Sequence, residues 1–108
     1  MKVRIGTAPD SWGVWFPENE KQMPWERCLN EMAEAGYEGI ELGPWGYLPN
    51  DYEKLKEELE KRNLELTATT LVGDLTSDSK TRELISLLDE MAKLQLLFDS
   101  AKYLVLID

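Results

Sequence analysis

Apolar and polar positions along the chain alternate between the two-residue period of strands and the three-and-four spacing of helices. Four short apolar or alternating runs predict strands, at residues 3–7, 37–42, 64–70 and 103–107. Amphipathic stretches between them predict three helices, which begin at Pro24, at a cap formed by Asn50, and at a cap formed by Ser77 or Asp78. The order β-α-β-α-β-α-β is typical of an α/β fold with a parallel sheet of about four strands.

The ends and faces of these elements carry further signals. Gly36 and Asn63 are expected to end the first two helices in the left-handed conformation. The charged run 53–62 indicates a solvated helix with pairs between residues four apart, and the third helix shows a broad apolar face from Leu84 to Leu97 or Phe98. The last strand is apolar at every position, which predicts burial on both faces.

Composition and charge narrow the classes of partner. The 108 residues, 43% hydrophobic and 31% charged, predict one globular domain over residues 1–108. The formal charge of −9 disfavours nucleic acid and anionic membrane surfaces, because both need clustered basic side chains. The single cysteine, Cys28, lies on the buried stripe of the first helix, and no leader or membrane-spanning run is visible, so we expect a cytoplasmic protein.

Three segments, residues 5–13, 32–43 and 55–66, together resemble the xylose isomerase-like superfamily, particularly its sugar phosphate isomerase/epimerase and inosose dehydratase branches. The resemblance implies the first half of a (β/α)8 TIM barrel whose active site lies at the carboxyl ends of the strands. It also implies a sugar or polyol substrate and a divalent metal (Mn, Mg, Co or Zn). The family takes its metal ligands from later strands, so we expect no metal site in this chain alone and little or no activity.

Glu41 is the leading catalytic candidate. It alternates with Ile40 and Leu42 at the end of the second predicted strand, where a carboxylate could bind sugar hydroxyls or assist proton transfer. A structural carboxylate paired with Arg4 or a loop amide is the alternative. The chain has no histidine, which excludes Ser-His-Asp and Cys-His arrangements and any histidine-ligated metal.

Aromatic and hydroxyl side chains at strand ends are candidates for substrate binding. The aromatic candidates follow the first two strands: Trp12, Trp15, Trp45 and Tyr47, with Phe16 beside them. Such rings could stack on the apolar face of a sugar, or instead close the top of a small core. Thr69 and Thr70 end the third strand and could hydrogen-bond to a polyol, whereas Asp10 is more typical of a turn.

Two functional hypotheses remain open at this stage. The chain is either part of a sugar isomerase, epimerase or dehydratase barrel, or a non-catalytic α/β module that assembles with itself or binds a partner. An open sheet with an apolar fourth strand favours pairing with a second copy. We therefore expect a homodimer or larger assembly, either as two half-barrels sharing eight strands or as a face-to-face or domain-swapped dimer.

Overall fold

Strands and helices alternate along residues 2–108, the part of the chain that the computed structural model describes. The elements are β1 Gly6–Thr7, α1 Trp25–Glu34, β2 Gly39–Glu41, α2 Tyr52–Glu60, β3 Glu65–Val72, α3 Asp78–Gln95 and β4 Tyr103–Ile107. The four strands form one parallel sheet in the order β1-β2-β3-β4. This architecture confirms the predicted α/β class and is consistent with part of a (β/α)8 barrel.

The helices begin close to the predicted caps. The Asp51 carboxylate accepts a hydrogen bond from the backbone N–H of Lys54 at 2.9 Å, so Asp51 caps α2 and the prediction of Asn50 was wrong by one residue. Ser77, one of the two predicted caps, starts α3. Pro24 precedes α1 as its cap and is not its first residue. None of the helices within residues 2–108 is long and apolar enough to cross a membrane.

The observed strand boundaries differ most from the predicted ones at the β1 edge of the sheet. The predicted first strand began at residue 3, but β1 begins at Gly6, because pairing to β2 starts only where the Ile5 carbonyl accepts from the backbone of Glu38 and Gly39. β2 is shorter than predicted at both ends. In contrast, β3 continues to Val72, since β4 pairs with it along its whole carboxyl half.

The core lies between one face of the sheet and the helices α1 and α2. It is a single apolar cluster: Val14, Cys28, Leu29, Met32, Ile40, Leu42, Tyr47, Leu48, Leu55, Leu59, Leu64, Leu66 and Leu94. Gly36 (φ 91°) and Asn63 (φ 57°) adopt the left-handed conformation at the helix ends, as predicted. These turns let each helix fold back onto the strand that follows it.

The side chains of α3 and β4 are more exposed than the sequence pattern predicts. β4 was predicted to be buried on both faces. However, Tyr103 is 69% exposed and Leu106 is 52% exposed, and these two side chains lie on opposite faces of the strand. Only Met91 and Leu94 of α3 are buried, although its apolar face was predicted to be broad. Both differences arise because β4 lies at the sheet edge, where no further described element packs over it.

Candidate functional site

A cavity of about 420 Å³ opens at the carboxyl ends of the strands. It is lined by Ala8, Asp10, Val14, Trp15, Phe16, Pro17, Glu41, Gly43, Pro44, Trp45, Thr70, Val72, Leu87, Val105 and Ile107. Parallel strands bring their carboxyl ends to one edge of a sheet, so loops that are distant in sequence meet there. The volume is within the range of about 300–1,000 Å³ found for small-molecule sites.

A register shift between β2 and β3 sets which side chains line this cavity. Ile40 pairs with Leu66, but Glu41 pairs with Ala68, so β3 carries one extra residue at this point. The Thr67 hydroxyl donates to the Ile40 carbonyl at 3.0 Å and stabilises the irregular segment. Bulges of this kind re-aim side chains beside functional sites. Beyond the bulge, Thr70 lines the same cavity as Glu41.

Glu41 is the half-buried carboxylate at the end of β2. Arg4, the cation considered as its structural partner, instead pairs with Glu65 and approaches Glu38 at 4.0 Å. Within residues 2–108, no Lys or Arg nitrogen lies within ion-pair distance of the Glu41 carboxylate. The carboxylate is therefore free to bind a ligand in the cavity.

Four of the seven predicted site residues meet in this cavity: Glu41, Trp15, Trp45 and Thr70. Trp15 follows the 3-10 helix Pro9–Trp12 and is 63% exposed at the rim, while Trp45 follows β2 and is half-buried. The two indoles come from different loops, as expected for walls around a bound ring. Asp10, which was weighed as a turn residue, and Phe16 also line the cavity.

The other three predicted residues lie outside the cavity, in the packed part of the molecule. Trp12 packs on the core and contacts Tyr37 edge to face, with ring centroids 6.2 Å apart. Tyr47 is buried and donates to the Met23 carbonyl at 2.7 Å, and burial raises the pKa of its phenol. Thr69 is fully buried and hydrogen-bonds to Gln95 of α3. These contacts make all three supports of the fold.

A close contact between Gly43 and Pro9 joins the two loops that form the cavity wall. Gly43 has φ 74°, and a Cβ atom added there would lie 2.7 Å from Pro9 Cγ. Pro9 is buried and begins the 3-10 helix that carries Asp10. Glycine is therefore required for both its conformation and the approach of the proline ring. The contact fixes the loop after β1 against the loop after β2.

Comparison with known proteins finds relatives that share part of their length with this chain. Over 77 residues the chain is 38% identical to an inosose dehydratase of Mesomycoplasma hyopneumoniae, a match that covers 70% of this chain and 25% of that protein. It is 37% identical over 76 residues to an inosose dehydratase of Clostridium perfringens, covering 69% and 25%. The corresponding enzyme of Clostridium tetani is 35% identical over 77 residues, covering 70% and 25%. The chain is homologous to the inosose dehydratases.

This homology confirms the inosose dehydratase branch of the resemblance drawn from the sequence. The chain spans about a quarter of the length of the relatives that it matches. No family model matches the chain, and no solved structure matches it significantly. The homology therefore covers only one part of an inosose dehydratase.

The side chains of the cavity do not fit a complete divalent metal site. Glu41 and Asp10 are the only carboxylates in its lining among residues 2–108. No group of three or more His, Cys, Asp or Glu side chains suitable for a metal ion occurs in the part of the chain that the structure describes. Two carboxylates can accept hydrogen bonds from hydroxyls or accept a proton, and they are too few to form a metal site by themselves.

Several wall residues were missed by the sequence analysis. Val14 is fully buried yet lines the cavity, and it lies between the candidates Trp12 and Trp15 in the segment after the first strand. Val105 and Ile107 also line it. The two-residue period of β4 and its pairing of Val105 with Thr70 would have indicated them, whereas the position of Val14 depends on the 3-10 helix.

Proposed function

We propose that this chain forms part of the polyol-binding site of an inosose dehydratase-like barrel, with Glu41 as its principal ligand-binding carboxylate. The observation that supports this proposal is the meeting of Glu41, Trp15, Trp45 and Thr70 in one cavity. The indoles would stack on the apolar faces of a cyclitol ring, and Glu41 and Thr70 would hydrogen-bond to its hydroxyls. The names of the relatives favour dehydration over isomerisation or epimerisation.

A dehydratase acting on a cyclic polyol ketone needs a base beside the carbonyl. In the proposed reaction, Glu41 takes the proton from the carbon next to the carbonyl. The electron pair of that C–H bond forms a carbon–carbon double bond. The hydroxyl on the following carbon takes up the proton that Glu41 now holds and leaves as water, which returns Glu41 to its carboxylate form. We propose this step for a complete barrel. For residues 2–108 by themselves, where the described lining of the cavity includes two carboxylates, we propose binding without turnover.

The test is the binding of inositol, an uncharged cyclic polyol, followed by tryptophan fluorescence. Glu41→Ala should weaken binding by about tenfold, since a charge-assisted hydrogen bond contributes roughly 1.5–3 kcal/mol. Glu34→Ala, on the exposed face of α1, is the matched control and should bind as the unaltered chain does. Equal affinity of the Glu41→Ala variant would rule out Glu41 as the binding carboxylate.

Assembly with a second copy is the further candidate, and the exposure of β4 supports it. Its apolar side chains Tyr103, Leu104, Leu106 and Ile107 are between 38% and 69% exposed, on both faces of an edge strand. An exposed apolar edge invites strand pairing. A half-barrel dimer, with β4 of one copy beside β1 of the other, remains the preferred arrangement over a face-to-face or domain-swapped dimer.

Light scattering at micromolar concentration should give the mass of a dimer or larger. Leu106→Lys should produce a monomer, because a charged side chain would face the partner while the monomer leaves this position exposed. Ile85→Lys, on an equally exposed apolar residue of α3, is the control that keeps the assembly. A monomeric unaltered chain, or loss of assembly in both variants alike, would contradict pairing through β4.

The proposed location stays the cytoplasm. Cys28 is free and buried, and burial raises the pKa of its thiol. A thiol that stays protonated in the core resists oxidation and suits a reducing compartment.

A further inference from the structure

Among the residues that the structure describes, the cavity is lined by apolar and aromatic side chains and two acids, and by no basic side chain. Within the described part of the chain, Asp10 and Glu41 are its only ionisable residues, and no Lys or Arg is among the lining residues. Trp15, Phe16 and Trp45 provide the aromatic part of the wall. Arg4 lies at the amino ends of the strands, away from the cavity, where it pairs with Glu38 and Glu65. The cavity therefore presents two negative charges in a chain whose formal charge is −9.

We propose that the cavity selects its ligand by charge: it prefers a polyol that carries an ammonium group and rejects a phosphorylated polyol. This inference rests on the proposed function, because it specifies which polyols the same site would take. It separates two classes of ligand that the wider resemblance left together, since sugar phosphates and unphosphorylated cyclitols differ by the charge that the site must neutralise.

The negative charge of the cavity attracts the ammonium group of an amine and repels a phosphate. Aromatic faces carry negative potential, so an ammonium group over Trp15 or Trp45 is attracted to the ring. Glu41 is half-buried and unpaired, and a partly desolvated carboxylate gains more from a cation than an exposed one does. A phosphate would approach two carboxylates with no guanidinium or ammonium group to receive it.

Three ligands of one ring size test the inference at neutral pH and low salt: inositol, an analogue with one hydroxyl replaced by an amino group, and inositol monophosphate. We expect the amine to bind about fivefold to tenfold more tightly than inositol, from one cation–aromatic contact and one ion pair. The phosphate should show no measurable binding. Added salt should reduce the preference for the amine, because it screens the ion pair.

Variants separate this inference from the proposed function. Glu41→Gln should reduce the ratio of amine to inositol affinity towards one, whereas Glu38→Gln, whose carboxylate lies near Arg4, should keep the ratio. Binding of inositol with no preference for the amine would overturn the charge selection and leave the polyol site intact. Binding of the amine alone would support the charge selection and overturn the proposal that the site binds an uncharged polyol. Tight binding of the phosphate, or failure of all three ligands, would overturn the inference.

Discussion

Gly43→Ala should destabilise the chain by about 3 kcal/mol, through a strained backbone and a clash in the cavity wall. Alanine at φ 74° is disfavoured by itself, and its Cβ would lie 2.7 Å from Cγ and 3.0 Å from Cδ of Pro9. A proline ring cannot rotate away as a flexible side chain can, so the 3-10 helix must move. The loss is to be measured by urea unfolding at neutral pH.

Gly13→Ala provides the control for conformation alone. Gly13 has φ 79°, but a Cβ atom added there meets nothing within 4 Å. Its replacement should therefore cost about 1 kcal/mol, the strain of a left-handed alanine without a clash. If the two variants unfolded at the same urea concentration, the contact between Gly43 and Pro9 would not be what holds the cavity wall together.

Glu58→Gln should lower the free energy of unfolding by about 2 kcal/mol at pH 7, because it removes the buried carboxylate charge that three basic side chains contact. Glu58 is only 3% exposed and its carboxylate contacts Lys54 at 2.9 Å, Lys61 at 2.8 Å and Arg62 at 2.7 Å. These partners, Arg62 first, lower the pKa of Glu58 from 4.5 to about 2. Two of them are half exposed, so solvent screening reduces the gain.

The pH dependence of this difference has a definite sign. The Glu58 pKa is lower in the folded chain than in the unfolded chain, so its contribution is present above pH 4.5 and is lost as the pH falls towards 2. The difference in unfolding free energy between the unaltered chain and Glu58→Gln should therefore shrink over that interval. Glu57→Gln, on the exposed side of α2, should change stability by less than about 0.5 kcal/mol. A gap between the two chains that stays constant from pH 7 to pH 2 would contradict the assignment.

The burial of Glu58 marks a limit of sequence patterns. The charged run of α2 was interpreted as a solvated face, and its pairs four residues apart do form, from Lys54 and Arg62 to Glu58. Glu58 follows Leu55 by three residues, however, and so lies beside the apolar stripe. The aliphatic parts of the neighbouring basic side chains can then cover the Glu58 carboxylate. The charge pattern of the sequence alone does not predict this burial.

The order of elements and the position of Glu41 could be predicted because both depend on local period. Which aromatic and hydroxyl side chains reach the cavity depends on finer geometry. The 3-10 helix turns Trp12 into the core and leaves Trp15 at the rim. The bulge beside Thr67 and the alternation of β3 separate Thr69, which bonds to Gln95, from Thr70, which lines the cavity. Neither feature has a signature in a single sequence.

The covering of the last strand could not be predicted for a different reason. An apolar run indicates that a strand can be buried on both faces, but it does not say which element provides the cover. In residues 2–108, Tyr103 and Leu106 remain exposed on an edge strand. Burial there depends on contacts beyond these elements.

The central claim is that the cavity at the carboxyl ends of the strands binds a polyol, and the four tryptophans allow a direct measurement. The indole N–H signals of the ¹⁵N-labelled chain are to be followed by NMR during titration with inositol. Trp15 and Trp45, which line the cavity, should shift, whereas Trp12 and Trp25, which pack on the core outside the cavity, should not. The account would be contradicted if inositol left the indole signals of Trp15 and Trp45 unchanged, or if it shifted the signals of Trp12 and Trp25 as much as theirs.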